Sequence, residues 1–334
     1  MNAIFPGAQS AMTPGAPQTF PALLRRMTYE APGVLSLDFE AVDGRELPPF
    51  EPGAHLDLHL PDGTIRQYSL CGDPTDRHTY RIAVRDVKGG RASRFVHRGD
   101  LRPGVVVTLG FPRNNFAFDA APRYLFVAGG IGITPLLPMM RAASEAGVPW
   151  SLLLCAPRSA DAPFLREARA LAARNGRGEV SVHASEEGTR LDVAVHLREA
   201  QANTLLYCCG PERLMLAVED ATAAWPEGSV RFEWFTPRAR PEGEGADTFE
   251  VECSRSGITV TVPSDRSVLQ VLQEAGVEVP CSCEQGICGT CEVPVLEGEV
   301  DHRDSILSSA ERAANQTMMC CVSRAQSARL VLDL

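Results

Sequence analysis

The stretch Cys283-Glu-Gln-Gly-Ile-Cys288-Gly-Thr-Cys291 places three cysteines within nine residues. Thiols so spaced can meet at one centre only if the backbone between them turns back on itself. Gly286 and Gly289, on either side of Cys288, permit the turn and let backbone N–H groups approach the sulfurs. The C-terminal part of the chain is therefore built around a ligand-holding loop.

A run C-x4-C-x2-C followed by one distant cysteine is the ligand spacing of a plant-type [2Fe-2S] centre. Seven cysteines lie in this region: Cys253, Cys281, Cys283, Cys288, Cys291, Cys320 and Cys321. Spacing selects Cys283, Cys288 and Cys291, because Cys281 would leave six residues before Cys288. Cys320 and Cys321 are adjacent and on a strand would point to opposite faces, so only one of them reaches the centre. Zinc also takes four thiolates, but its usual signature is two short, separated cysteine pairs. A [2Fe-2S] cluster carries one electron at a time, so the chain's chemistry is expected to involve single-electron transfer.

A length of 334 residues suits two or three domains. The net charge of −10 is uneven: from Asp247 onward there are 14 Asp and Glu against 6 Arg. Acidity on the cysteine-rich part argues against a nucleic-acid partner and suits docking to a complementary protein surface. Residues 1–20 lack a basic n-region and a sustained apolar run, and read as a disordered tail. No apolar run is long enough to span a membrane, so a cytoplasmic setting with its eleven cysteines reduced or bound to iron is expected.

The chain divides by texture. Residues 21–118 give short alternating segments at 34–39, 55–60, 66–70, 80–85 and 105–109, separated by Pro-Gly and Asp-Gly turns, the pattern of a small antiparallel barrel. Over 119–237, apolar strands alternate with helical segments, which implies a parallel sheet with helices on its faces. Residues 238–246 contain Arg240-Pro-Glu-Gly-Glu-Gly-Ala246 and read as a linker, leaving 247–334 as the cysteine-rich domain.

Two Gly-containing turns follow strands of the parallel sheet. In Ala128-Gly129-Gly130-Ile131-Gly132-Ile133-Thr134-Pro135, the glycines would let a ligand approach a helix start, with Thr134 as N-cap and Pro135 as first helical residue. In Tyr207-Cys208-Cys209-Gly210-Pro211, the second turn stands on the same crevice side, where open α/β sheets bind ligands. Cys209 is either a buried apolar thiol or a residue lining the nicotinamide site, and its place before Gly210-Pro211 favours the latter. In the barrel, Arg66-Gln67-Tyr68-Ser69 alternates its side chains, and Gly89-Gly90-Arg91-Ala92-Ser93 opens a short helix suited to an anion.

R-x-Y-S, G-x-x-S, GGIGITP and CGP, in that order, resemble the ferredoxin-NADP reductase superfamily. With the cysteine-rich domain at the C-terminus, residues 21–334 most closely resemble the reductase components of phthalate dioxygenase and vanillate demethylase systems. That resemblance implies an antiparallel flavin barrel, an α/β NADH domain and an α+β ferredoxin domain of the β-grasp type, with FMN as flavin. It implies that Arg66 pairs with the FMN phosphate, that Tyr68 lies against the ring, that Ser69 bonds near its reactive nitrogen, and that Gly90 and Ser93 complete the phosphate site. Gly130, Gly132, Thr134, Cys209 and Gly210 match residues that bring the nicotinamide over the flavin. Phe235, the aromatic ending the segment 230–235, matches a residue that shields the ring. Cys321, in Cys321-Val-Ser-Arg324, matches the closing ligand motif and joins Cys283, Cys288 and Cys291.

NADH gives up two electrons together and the cluster accepts one, a mismatch that a flavin resolves. The expected function is an NADH-dependent FMN/[2Fe-2S] reductase serving a separate, Rieske-type terminal oxygenase that acts on an aromatic compound. A reductase for a diiron or haem acceptor, or a redox-sensing module without turnover, are the alternatives. His55, His59, His97 and His302 fit ordinary surface or core roles.

Overall fold

The structure, a computed structural model, describes residues 18–198, 203–238 and 248–334. Most of the expected tail and nearly all of the expected linker lie outside the described residues.

The first sheet is antiparallel and comprises Thr19–Ala31 (β1), Val34–Ala41 (β2), His55–His59 (β3), Ile65–Ser69 (β4), Tyr80–Arg85 (β5) and, after the helix Arg91–His97 (α1), Val106–Gly110 (β6). Its order is β4-β3-β6-β1-β2-β5. Cys71 N, just past β4, donates to Arg81 O of β5 at 2.8 Å, so the two edges approach and the sheet curls towards closure. Leu24, Leu37, Phe39, Leu56, Leu58 and Ile82 fill the interior with no exposed surface. β1 starts at Thr19, two residues inside the expected tail, because Phe20 packs edge-on against Tyr80 and Phe111.

The second sheet is parallel. Its elements are Arg123–Gly129 (β7), Leu136–Glu145 (α2), Trp150–Ala156 (β8), Leu165–Asn175 (α3), Gly178–Ala184 (β9), Val193–His196 (α4), Thr204–Cys209 (β10), Glu212–Ala221 (α5) and Val230–Glu233 (β11). The order β11-β10-β7-β8-β9 puts β7 at the centre. There Tyr124, Phe126 and Ala128 enter one core and Leu125 and Val127 the other, as a strand covered on both faces requires. Phe116 and Phe118 belong to this unit rather than to the barrel, since they pack against Tyr207 and Tyr124 at 5.4 and 4.5 Å.

The third unit holds Phe249–Cys253 (β12), Ile258–Val262 (β13), Val268–Glu274 (α6), Glu292–Glu297 (β14), Val300–Asp301 (β15), Ser309–Ala314 (α7), Thr317–Met319 (β16), Arg324–Ala325 (β17) and Arg329–Leu332 (β18). Its main sheet, β13-β12-β18-β14-β16, is mixed, with β12 parallel to β18. Ser267 caps α6 through a reciprocal pair with Gln270, which fixes where that helix starts over the sheet. Among the described residues no helix is long and apolar enough to cross a membrane.

Candidate functional site

The parallel register sets Cys209 beside Ala128, so the turns after β7 and β10 lie side by side. They pack backbone to backbone. A Cβ on Gly132 would stand 2.2 Å from Cys209 O, and one on Gly129 2.3 Å from Pro211 Cδ. These two glycines are thus required by the contact between the turns. Gly130 is different: its φ of +54° is left-handed and nothing lies within 4 Å of its Cβ position. It opens a 3-10 turn, Gly130–Ile133, that leads into α2.

Thr134 does not cap that helix as expected. Its hydroxyl turns back to Ile131 O at 2.9 Å, and Pro135 occupies the cap, because the chain is already helical from Gly130 onward. The anion-attracting backbone N–H groups accordingly belong to the Gly130 turn. A cleft of about 1220 Å³ runs from it along the carboxyl ends of β7, β8 and β9, and is lined in part by Gly130, Ala156, Arg158, His183, Arg190 and Arg213. At its far end Arg158 is held by Asp161 through two hydrogen bonds of 2.8 and 3.0 Å, with Glu186 3.9 Å away. Glu187 accepts from Ser159 N and Oγ at 2.9 and 2.7 Å.

Cys209 and Gly210 sit where the nucleotide domain meets the barrel. Cys209 has no exposed surface, and burial, then the charge of Glu233, pushes its thiol well up. Ser69 Oγ donates to Glu233 Oε2 at 3.3 Å, joining β4 to the end of β11. Desolvation raises the Glu233 carboxyl to about 8, although the Ser69 bond pulls the other way, so it is protonated at neutral pH. Glu233 escaped the sequence reading; its only signal was the strand-end position two residues before Phe235. The segment expected to run over 230–235 ends at Glu233 instead. Phe235 lies in the bend beyond it, 36% exposed, while Trp234 is buried and lies beneath the Arg238 guanidinium.

On the barrel, Arg66 is exposed and bonded to Ile65 O at 2.7 Å, with no carboxylate partner among the described residues, so its charge is open to an anion. Tyr68 is half-buried, and burial lifts its hydroxyl to about 12. Gly90 caps α1 where a Cβ would stand 2.8 Å from Ser93 Oγ. The Ser93 hydroxyl itself is engaged within the turn, with Val87 N, Val87 O and Gly90 O at 3.1–3.2 Å. It shapes the anion loop, and the exposed backbone and Arg66 are the groups left to bind.

The cysteine loop bends through left-handed positions at Glu284, Gly286 and Gly289. Gln285 N donates to Cys283 Sγ at 3.3 Å, and Thr290 Oγ1 lies 3.2 Å from Cys288 Sγ. Cys283 and Cys288 interact directly, and the bond from Cys283 holds the Cys288 thiol below its ordinary range. Bonds from Cys320 and Cys321 hold the Cys291 thiol well below its ordinary range. Cys321 also feels Cys283 and the Gly286 backbone, so it faces the loop. Cys320 has no exposed surface and donates to Cys291 O at 3.2 Å. The two occupy the turn after β16 rather than a strand. Cys283 thus pairs with Cys288 and Cys291 with Cys321 under N–H donors. Among the described residues no three such groups gather closely enough for a single metal ion, and two facing pairs suit a two-iron cluster, whose negative sulfurs need those donors. Cys281 meets Gln273 Nε2 at 3.5 Å, and Cys253 is a core residue.

Comparison with known proteins adds to this geometry. Residues 251–326 match the 2Fe-2S iron-sulfur cluster binding domain, and residues 126–220 the oxidoreductase NAD-binding domain. The chain is 40% identical over 322 residues to the tert-butanol monooxygenase / tert-amyl alcohol desaturase reductase subunit of Aquincola tertiaricarbonis, covering 93% of this chain and 95% of that one. It is 40% identical over 302 residues to phthalate dioxygenase reductase of Burkholderia cepacia, covering 89% and 92%. It also superposes on an intact type IV self-sufficient cytochrome P450 monooxygenase with a TM-score of 0.86 at 37% identity, covering 98% of this chain but spanning 43% of that larger one.

Proposed function

Because the chain belongs to the phthalate dioxygenase reductase-like family, NAD(P)H-dependent flavin and [2Fe-2S] oxidoreductases that serve oxygenase systems, we propose that it is the NADH-dependent, FMN-containing reductase of a Rieske-type oxygenase or O-demethylase acting on an aromatic compound. The observation that carries this reading is the double contact made by β4. Ser69 bonds to Glu233 of the nucleotide domain, and Gln67 bonds to Ser282, next to Cys283. A single five-residue strand thereby touches both other domains, as a relay with the flavin in the middle requires.

The flavin, when bound, accepts an electron pair and releases electrons singly. The chain's own residues do the positioning. The exposed Arg66 and the Gly90 turn offer charge and backbone to a phosphate, and Tyr68 offers an aromatic face. The open Gly130 turn receives the anionic part of the coenzyme in the cleft beside it. Protonated Glu233, with Ser69, holds a proton at the half-buried junction between domains. Cys283, Cys288, Cys291 and Cys321 hold the cluster.

NADH is favoured over NADPH by the carboxylates at the far end of the cleft. Arg158 could meet a 2′-phosphate, but Asp161 already neutralises it, and Glu186 and Glu187 add negative charge beside it. A haem partner is the second reading, supported by the superposition on the P450 fusion.

Two measurements test the proposal. With flavin and cluster bound, the purified chain should reduce cytochrome c from NADH, and an inert protein would overturn the reductase reading. In anaerobic mixing with a Rieske oxygenase and with a P450, preferential electron delivery to the P450 would replace the Rieske partner with a haem one.

A further inference from the structure

The contact between barrel and cluster loop rests on a small buried polar network. Asp57, 1% exposed, lies in the middle of β3 directly opposite Gln67 of β4. Arg113 grips it with two hydrogen bonds, Nη1 to Oδ2 at 2.9 Å and Nη2 to Oδ1 at 2.8 Å. Gln67 Nε2 then donates to Asp57 Oδ1 and to Ser282 Oγ, both at 2.7 Å. Two residues beyond Arg113, Asn115 Nδ2 donates to Cys288 O at 3.0 Å.

Each part of this network is braced. Arg113 is paired to β3 by His55 N to Arg113 O at 2.8 Å and Arg113 N to His55 O at 2.9 Å, so its segment cannot shift along the barrel. A Cβ on Gly110 would stand 3.1 Å from Asp57 Cβ, and one on Gly289 3.0 Å from Asn115 Nδ2, so both sides of the contact are closely fitted. Burial works against the Arg113 charge. The Asp57 bond and charge outweigh it, so the pair holds inside the contact. None of these residues belongs to the flavin, coenzyme or cluster-ligand sets described above.

We propose that Gln67, Asp57, Arg113 and Asn115 are positioning residues for electron transfer within the chain: they clamp the loop carrying Cys283 and Cys288 onto the flavin barrel. The step served is simple. One electron leaves the reduced flavin, and one iron of the cluster goes from ferric to ferrous. The Gln67 and Asn115 donors fix the separation of the two centres, and the Asp57–Arg113 pair holds Gln67 in place. This inference rests on the flavin and cluster reading of the same site.

The test uses the holoprotein and the double variant Gln67→Leu with Asn115→Ala. Stopped-flow mixing with NADH separates flavin reduction from the later flavin-to-cluster step, and EPR reports the cluster itself. Flavin reduction should stay within about twofold, while the second step slows at least about tenfold with iron content unchanged. Arg113→Met with Asp57→Asn, which removes the ion pair together and with it the brace on Gln67, should slow the same step at least about tenfold with iron content unchanged.

Unchanged transfer rates in both variants would overturn the clamp. If the first variant loses iron, Ser282→Ala decides, since it takes away the acceptor on the other side of the contact: slowed transfer supports the clamp and an unaltered rate overturns it. Failure of the functional reading would look different, as a wild-type protein that shows no NADH-to-cluster transfer at all.

Discussion

The Ser69 hydroxyl bonds to the Glu233 carboxyl at 3.3 Å across 164 residues of sequence, and so joins the flavin barrel to the last strand of the nucleotide sheet. The carboxyl is carried into the half-buried junction between the domains, where desolvation dominates its titration. Its raised value, about 8 against an ordinary 4.5, means that the folded protein keeps a proton which the unfolded chain releases.

The stability from that proton is complete below about pH 4.5 and is lost as pH rises through 8. Wild-type protein should lose on the order of 2 kcal/mol between pH 5 and 8 relative to Glu233→Gln, whose amide carries no titration. Thermal unfolding of both proteins across this range checks it, and parallel Tm curves would remove Glu233 as the cause.

Replacing Cys321 with Ser should abolish the [2Fe-2S] absorbance and EPR signal while leaving NADH-to-flavin reduction within about twofold, because the barrel and cleft contain no part of that turn. Cys320→Ser should keep its cluster, since Cys320 points to Cys291 O in the core. The opposite pattern in iron analysis would exchange the two assignments.

The carboxylates beside Arg158 predict coenzyme choice. NADH should exceed NADPH in kcat/KM, and Glu186→Ala with Glu187→Ala should narrow the ratio by about tenfold. Steady-state kinetics with both coenzymes measures this. A ratio that does not move would place the 2′-phosphate elsewhere in the cleft.

Two glycines of one turn should respond differently to alanine. Gly132→Ala drives a methyl group against Cys209 O, 2.2 Å away, and should cost about 2–3 kcal/mol. Gly130→Ala meets open space and pays chiefly for its left-handed backbone, about 1 kcal/mol. Denaturant midpoints compare them, and equal losses would contradict the packing account.

Much of this protein was legible in local pattern. The spacing of Cys283, Cys288 and Cys291 identified a loop built for thiolate ligands, because such a loop is contiguous in sequence. Alternating barrel strands and the buried run of β7 declared themselves by periodicity, which depends only on near neighbours along the chain. The packing role of Gly132 is not legible locally, since its tight neighbour, Cys209 O, belongs to the turn after β10. Thr134 was expected to cap a helix whose start lay several residues earlier.

Glu233, Gln67 and Arg113 carry no motif, and tertiary structure alone decided what they do. Ser69 meets Glu233 and Gln67 meets Ser282 only after three domains pack, at separations of 164 and 215 residues. Desolvation, paired charge and donor geometry arise from that packing. The sequence by itself determined which centres the chain is equipped to hold, and the fold decided how they are joined.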